Sequence, residues 1–306
     1  MKKLYDIIIN PVSGKGKGKK ALSSVLKFLN ANDVDHKIYL TTKRGDAEKF
    51  AKELTSGEEE RNIVAIGGDG TFSEVLDGIV NFEKTMLGFI MSGTGNDFGS
   101  HLKLNKDPER AFKDILGGWV EYVDFIQLKN SRCLNICGTG IDVDTLIRYS
   151  QAKRKNKLTY LTSLFKTLRH PSYYEYEIHF ENESGEMEQI PREPCLITAV
   201  CNGNSCGGGI PISPSSKSND GTLDLIFLSK PTNNRYIAAM KLKKGKHTHY
   251  PYFHHIKTKK VVVEKKDNEE FTYQSDGELI KDNKFTAEVV SNKLKVFMPK
   301  RKLEEK

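Results

Sequence analysis

Gly67-Gly68-Asp69-Gly70-Thr71 stands between an apolar run at 63–66 and a helical pattern carried by Phe72, Leu76, Ile79 and Val80. A strand that ends in glycines and passes at once into a helix leaves the first helical N–H groups, and the positive end of the helix dipole, facing the turn. Glycine lets a phosphate come against the backbone with no Cβ between them. An aspartate inside such an anion site repels phosphate unless a divalent cation or a set of donors intervenes, so Asp69 reads as part of a magnesium-nucleotide site. Taken alone the motif is equally a tight turn in an α/β domain. Two more acidic glycine clusters follow, Gly93-Thr94-Gly95-Asn96-Asp97 and Asp276-Gly277-Glu278.

Around the first cluster, strand and helix signals alternate. Residues 4–9 read as a strand; Leu22, Val25, Leu26 and Leu29 recur at helical spacing; 36–40 alternates as a strand; Ala47, Phe50, Ala51 and Leu54 form a second helix. Further strands are predicted at 63–66 and 86–91, and Asp107 before Pro108 caps a helix over Phe112, Ile115 and Leu116. This order predicts a doubly wound, mostly parallel sheet, whose ligands bind at the carboxyl ends of its strands. The two upstream glycine clusters fall at such ends, as does Asn10-Pro11-Val12-Ser13-Gly14-Lys15-Gly16. That loop lacks both the Walker A and the Gly-x-Gly-x-x-Gly spacing. Its small residues and lysines suit a triphosphate, and a plain basic loop is the alternative. Thr41 and Thr42 after the second strand, and Thr94 after the fourth, add hydroxyls along the same edge.

From about Trp119 the pattern changes to period-two alternation. Tyr174, Tyr176, Ile178 and Phe180 alternate with polar residues, and strand-like runs follow at 195–201, 223–228, 259–264, 285–290 and 294–298. Gly, Asn, Pro and Ser clusters between them predict an antiparallel β-sandwich. Two helical patterns interrupt it, one with Leu161, Leu164, Phe165 and Leu168 behind a basic run at 153–157, the other around 235–243. The domains are expected at 1–125 and 126–306, with the last residues returning to the first domain.

The chain has 306 residues and a net charge of +8, which favours anionic partners: nucleotides, acidic lipid surfaces or nucleic acid. No RNP-like or helix-turn-helix pattern supports nucleic acid. The apolar runs are far shorter than the roughly 18 residues that cross a bilayer, and Asp6 interrupts any signal-peptide core, so a cytoplasmic protein is expected. The five cysteines form no Cys-x-x-Cys pair and read as reduced core residues. His247, His249, His254 and His255 lie close together, but without a cysteine or carboxylate at ligand spacing they are a weak metal candidate.

Six motifs in order resemble the bacterial soluble diacylglycerol kinase family, which shares its catalytic domain with sphingosine and ceramide kinases and, more distantly, NAD kinases. They are Asn-Pro-x-Ser-Gly at 10–14, Gly-Gly-Asp-Gly-Thr at 67–71, Gly-Thr-x-Asn-Asp-Phe at 93–98, Gly-Gly-Gly-x-x-x-x-Pro at 207–214, Asp-Gly-x-Leu-Asp at 220–224 and Asp-Gly-Glu at 276–278. The resemblance implies an α/β plus all-β chain: an N-terminal Rossmann-like, NAD kinase-like domain, a C-terminal antiparallel β-sandwich, and an active site in the cleft between them. It implies an ATP-dependent lipid kinase, with diacylglycerol as the leading acceptor and a sphingoid base, phosphatidylglycerol or a soluble alcohol as alternatives. A nucleotide-binding regulator without turnover is the non-enzyme reading.

The resemblance also distributes roles. Asn10, Pro11, Ser13, Gly14, Thr41 or Thr42, Gly67, Gly68, Asp69, Gly70, Thr71, Ser73, Gly93, Thr94 and Asn96 are the expected ATP contacts. Glu278 is the proton acceptor near Asp276, with Asp69 as the third catalytic acid. Asp220, with the carbonyls of Lys217 and Thr222, holds magnesium, and Asp97 and Asp124 organise it. Asn219 and Ser216 depart from the family's usual acid and alanine, which bears on metal affinity. The implied partners are ATP, a lipid alcohol and an anionic membrane surface at its inner face, met by Lys153, Arg154, Lys155, Lys157, Lys166 and Arg169 or by the lysines at 241–246. A homodimer is compatible with the sequence.

Overall fold

In the computed structural model, residues 3–154, 156–229 and 245–300 are described. The predicted helical pattern at 235–243 lies outside them. The chain divides into two units, one of residues 1–123 and 292–306, the other of 124–291.

The first unit follows the alternating signals: β1 (Tyr5–Ile9), α1 (Ser13–Ala31), β2 (His36–Leu40), α2 (Asp46–Thr55), β3 (Arg61–Gly67), α3 (Asp69–Gly78), β4 (Thr85–Met91), α4 (Asp97–His101) and α5 (Pro108–Leu116). β5 (Val120–Gln127) then leads into the second unit. The strands pair in parallel in the order β2-β1-β3-β4. Period two sends Ile7, Ile9, Val64, Ile66 and Ile90 to one face, where they meet Val25 and Leu29 of α1 and Phe112 and Ile115 of α5. Ile8, Ile63 and Ala65, also fully buried, turn to the other face, the side of α2 and α3. Asp107 caps α5 by accepting the Arg110 N–H at 2.9 Å, with Pro108 at the first helical position as expected.

The second unit contains β6 (Arg132–Cys133), β7 (Ile136–Gly140), α6 (Ile141–Ser150), α7 (Lys157–Arg169), β8 (Glu177–Glu181), β9 (Met187–Gln189), β10 (Cys195–Cys201), β11 (Leu223–Ser229), β12 (Phe253–Thr258), β13 (Lys260–Glu264), β14 (Phe271–Ser275), β15 (Glu278–Asp282) and the first part of β16 (Lys284–Phe297). One antiparallel sheet runs β12-β11-β10-β7-β14-β15, and β16, β13, β8 and β9 pair antiparallel in another. Val200, Leu225 and Tyr273 from the first sheet and Ile178, Val261 and Phe285 from the second close one core, which is the predicted sandwich.

Two expectations change. The runs at 285–290 and 294–298 are one strand: Asn292 at φ +57° bends the chain without ending the ladder, and Lys295 and Val296 pair in parallel with Met86 and Leu87 of the first unit. Tyr174 reaches Cys195 only through an isolated bridge, so β8 starts at Glu177. The five cysteines carry no disulfide, and burial pushes the Cys133 and Cys201 thiols well up.

Candidate active site

Three loops at the carboxyl ends of β1, β3 and β4 pack against one another, and glycine makes the approach possible. A Cβ on Gly14 would stand 2.0 Å from the Ser92 carbonyl oxygen, and one on Gly93 would stand 2.5 Å from the Cα of Gly68. Gly14, Lys15 and Gly16 all have positive φ and delay the regular part of α1. Ser13 Oγ lies 2.6 Å from Ser92 Oγ, and Asn10 Nδ2 donates to Thr71 Oγ1 at 3.4 Å. Asn96, itself at φ +56°, accepts the Gly93 N–H at 2.9 Å and donates back to the Gly93 carbonyl at 3.1 Å. The sequence-predicted contacts Asn10, Pro11, Ser13, Gly14, Gly67, Gly68, Gly70, Thr71, Ser73, Gly93, Thr94 and Asn96 thus belong to these loops or, for Ser73, to the first turns of α3. Thr41 is buried after β2, while Thr42 donates its hydroxyl to Asp46 Oδ2 at 2.8 Å, which ties it to the α2 cap.

Asp69 and Asp97 meet at these loops. Asp69 Oδ1 accepts the Phe98 N–H at 3.3 Å. A Cβ on Gly95 would stand 3.0 Å from Asp69 Oδ2 and 3.2 Å from Asp97 Oδ2, so both carboxylate oxygens border the same exposed glycine. Oxygen donors arranged this way fit a hard divalent cation carrying phosphate oxygens.

The second-unit residues form two other groups. Asp276 and Gly277, at φ +46° and +88°, make a two-residue hairpin turn with Ser275 opposite Glu278, as Asp-Gly-Glu read on its own predicts. The Asp276 carboxylate accepts N–H groups of Leu134 at 2.7 Å, Asn135 at 3.0 Å and Ile136 at 3.1 Å. Its lone pairs are committed to backbone donors, whereas Glu278 is exposed at the start of β15. In the other group Asp124 Oδ2 accepts the Gly221 N–H at 2.8 Å and the Asp124 N–H donates to Ser218 O at 2.6 Å. Asp220 Oδ1 is held by Thr222, and Oδ2 lies 2.5 Å from Lys257 Nζ. Burial opposes ionisation of Asp220, but the Lys257 and Thr222 hydrogen bonds outweigh it and hold the carboxyl low. Lys257 therefore shares Asp220, the acid to which the resemblance assigns a metal together with the carbonyls of Lys217 and Thr222. Lys257, in β12 just before the run predicted at 259–264, carried no signal in the sequence.

Three of the clustered histidines have separate partners: His247 Nε2 bonds to Ile212 O, His254 stacks on Phe227, and His255 lies 2.5 Å from Asp224. Lys153, Arg154, Lys166 and Arg169 are exposed. Lys155, the Lys157 side chain and residues 241–244 lie outside the description. Among the described residues no helix is long and apolar enough to cross a membrane.

One acid was missed. Asp142, in the first turn of α6, is only 8% exposed, and its Oδ1 has no hydrogen-bond partner. Burial pushes its carboxyl up to about 6, against the Val143 N–H and Gln274, with nearby Asp144 adding to the rise. The native state therefore holds this proton more tightly than the unfolded chain, and the cost of the buried charge grows from about pH 4 to about pH 6. Asp142→Asn should stabilise the protein at pH 7.5 by up to about 3 kcal/mol and lose that advantage below about pH 4. Urea unfolding of both proteins at the two pH values checks it; an equal difference at both would contradict the buried charge.

The loops, the two converging acids and the sandwich define a phosphotransferase class. A family model for the diacylglycerol kinase catalytic domain matches residues 5–128, and one for the YegS C-terminal NAD kinase beta sandwich-like domain matches 135–298. The chain belongs to the diacylglycerol kinase family and is a lipid kinase. It is 31% identical to a diacylglycerol kinase of Bacillus subtilis, covering 98% of this chain and 97% of that one. It is also 30% identical to a diacylglycerol kinase of Staphylococcus saprophyticus, over 86% of this chain and 85% of that one. A solved structure of a diacylglycerol kinase from Bacillus anthracis superimposes with a TM-score of 0.74 at 25% identity, over 97% of each chain.

Proposed function

We propose that the chain transfers the γ-phosphoryl group of ATP to the hydroxyl of a membrane lipid, diacylglycerol first, giving phosphatidic acid and ADP. The convergence of Asp69 and Asp97 beside Gly95, within three glycine loops, is the observation that carries this reading. The loops after β1, β3 and β4 would take the phosphates of ATP through backbone N–H groups, with the exposed Lys15 and Lys17 nearby. Asp69 and Asp97 would hold magnesium, which when bound neutralises phosphate oxygens. Glu278 takes the proton as the lipid oxygen bonds to the γ-phosphorus and the bond to ADP breaks. Asp276 fixes the hairpin that carries Glu278. Asp124 and the 217–222 loop keep a supporting role, and no step is routed through a metal on Asp220.

ADP release measured with vesicles that contain or lack diacylglycerol tests this. ADP formation that rises with diacylglycerol is expected; formation indifferent to any lipid would contradict it. Another lipid alcohol is the second reading, and competition between diacylglycerol and a sphingoid base in one vesicle separates the two.

A lipid kinase must meet its lipid at the interface, and each exposed basic side chain near an anionic surface adds roughly 1 kcal/mol. Replacing the basic residues at 153–157 by glutamine should weaken flotation with anionic vesicles and lipid phosphorylation together, most at low salt, with ATP binding unchanged. Flotation indifferent to the substitutions and to salt would move the contact elsewhere.

A further inference from the structure

β8 and β13 pair antiparallel in the sheet that does not carry Glu278, and their register brings three metal-ligating side chains together. Ile178 of β8 and Val263 of β13 belong to the sandwich core, so period two sends Glu177, His179 and Glu264 to the outer face. Glu264 stands directly across from Glu177, and His179 is its diagonal neighbour. One ligand atom from each residue, an imidazole nitrogen and two carboxylate oxygens, lies within 4.8 Å of the others. His179 Nε2 is 3.8 Å from Glu264 Oε1.

That spacing is too long for a hydrogen bond and suits two ligands of one ion. Two bonds of about 2.1 Å at a tetrahedral angle hold their ligand atoms roughly 3.4 Å apart, and wider angles hold them up to about 4 Å apart. The charges point the same way, because carboxylates directly opposite each other on a ladder repel. Arg192 pairs with Glu177 and offsets one of them. Among the described residues Glu264 has no ion pair except the long one with His179, although Lys284 lies opposite it on β16. The side chains are 29–32% exposed, open enough to admit an ion that keeps water in its remaining positions. An imidazole beside two carboxylates suits a transition-metal ion, whereas magnesium and calcium prefer oxygen ligands.

We propose that Glu177, His179 and Glu264 bind one divalent transition-metal ion, with zinc as its type, at a site that shares no residue with the magnesium-nucleotide loops or with the Asp276 hairpin. The ion takes the imidazole through Nε2 and an oxygen from each glutamate. Arg192 is then the outer partner that orients a ligating carboxylate. Because the ligands come from two neighbouring strands, the ion ties β8 to β13, and its binding is coupled to the stability of the folded chain.

Calorimetric titration of the full chain with zinc chloride tests this, in excess magnesium so that sites built of oxygen alone are filled. One ion should bind per chain, and zinc should raise the melting temperature in a concentration-dependent way. His179→Gln and Glu264→Gln should each weaken zinc binding by at least about tenfold, the lower end of what losing even an outer partner costs, and should cancel the rise in melting temperature. His255→Gln, which removes a histidine beside another acid, should leave zinc binding as it was. Melting curves without zinc report the fold of each variant, and if one glutamine variant does not fold the other carries the test. No zinc binding in excess magnesium, or binding and stabilisation that survive the His179 and Glu264 substitutions, would overturn the proposal. Zinc binding lost with His255→Gln would place the ion elsewhere and overturn it as well.

Discussion

Asp69→Asn is expected to abolish phosphoryl transfer while the fold persists, a loss on the order of 10³-fold or more. Asparagine keeps the shape and the oxygen that accepts the Phe98 N–H at 3.3 Å, so the packing of α3 against α4 survives. What disappears is one of the two negative charges that meet beside Gly95. A divalent cation left to Asp97 alone would lose both affinity and position, and phosphoryl transfer depends on charge placed to match the phosphate oxygens. Asp69→Ala removes the Phe98 link as well and should also lower the melting temperature. Steady-state turnover at saturating magnesium, with circular dichroism as the fold control, reads both. Near-normal turnover in a folded Asp69→Asn variant would remove Asp69 from the mechanism.

Glu278→Gln should lower kcat by on the order of 10² to 10⁴, the weight of a positioned general base, with little change in the apparent affinity for ATP. Glu278 is exposed at the start of β15, directly after the turn. Asp276 provides the contrast. Its oxygens already accept three backbone N–H groups at 134–136, so Asp276→Asn should cost about 1 to 3 kcal/mol of stability, with any loss of turnover following the loss of the hairpin's position. If Glu278→Gln instead raises the KM for ATP and spares kcat, Glu278 is a nucleotide or metal ligand, and the proton goes elsewhere.

The sequence made the first unit legible because its signals are local. Each strand of the parallel sheet is a short apolar run, each helix repeats at its own period, and the glycines sit where one turns into the other. The Asp107-Pro108 start of α5 was readable for the same reason. Where the chain returns to the first unit, a signal one residue long misled: Asn292 looked like a turn between two strands, yet a single left-handed residue inside one ladder leaves the same trace. Helix α6 was not seen, since Ile141, Val143 and Thr145 are β-branched and follow a glycine-rich strand end.

The candidate site divides along the same line. Asp69 and Asp97 announce themselves because each lies inside a glycine loop where a negative charge is out of place. Lys257 and Asp142 do not. Lys257 meets Asp220 across 37 residues, and Asp142 lines an apolar pocket whose walls come from stretches between 141 and 253. No periodicity encodes such meetings; only the register of β10, β11 and β12 does.

The most direct measurement of the central claim uses ATP labelled in its γ-phosphate with vesicles that contain diacylglycerol. The label should move into phosphatidic acid with the unaltered protein and magnesium, and should stay in ATP with Asp69→Asn or Glu278→Gln. Label released only as inorganic phosphate, or lipid labelled equally well by the Asp69→Asn protein, would contradict the account.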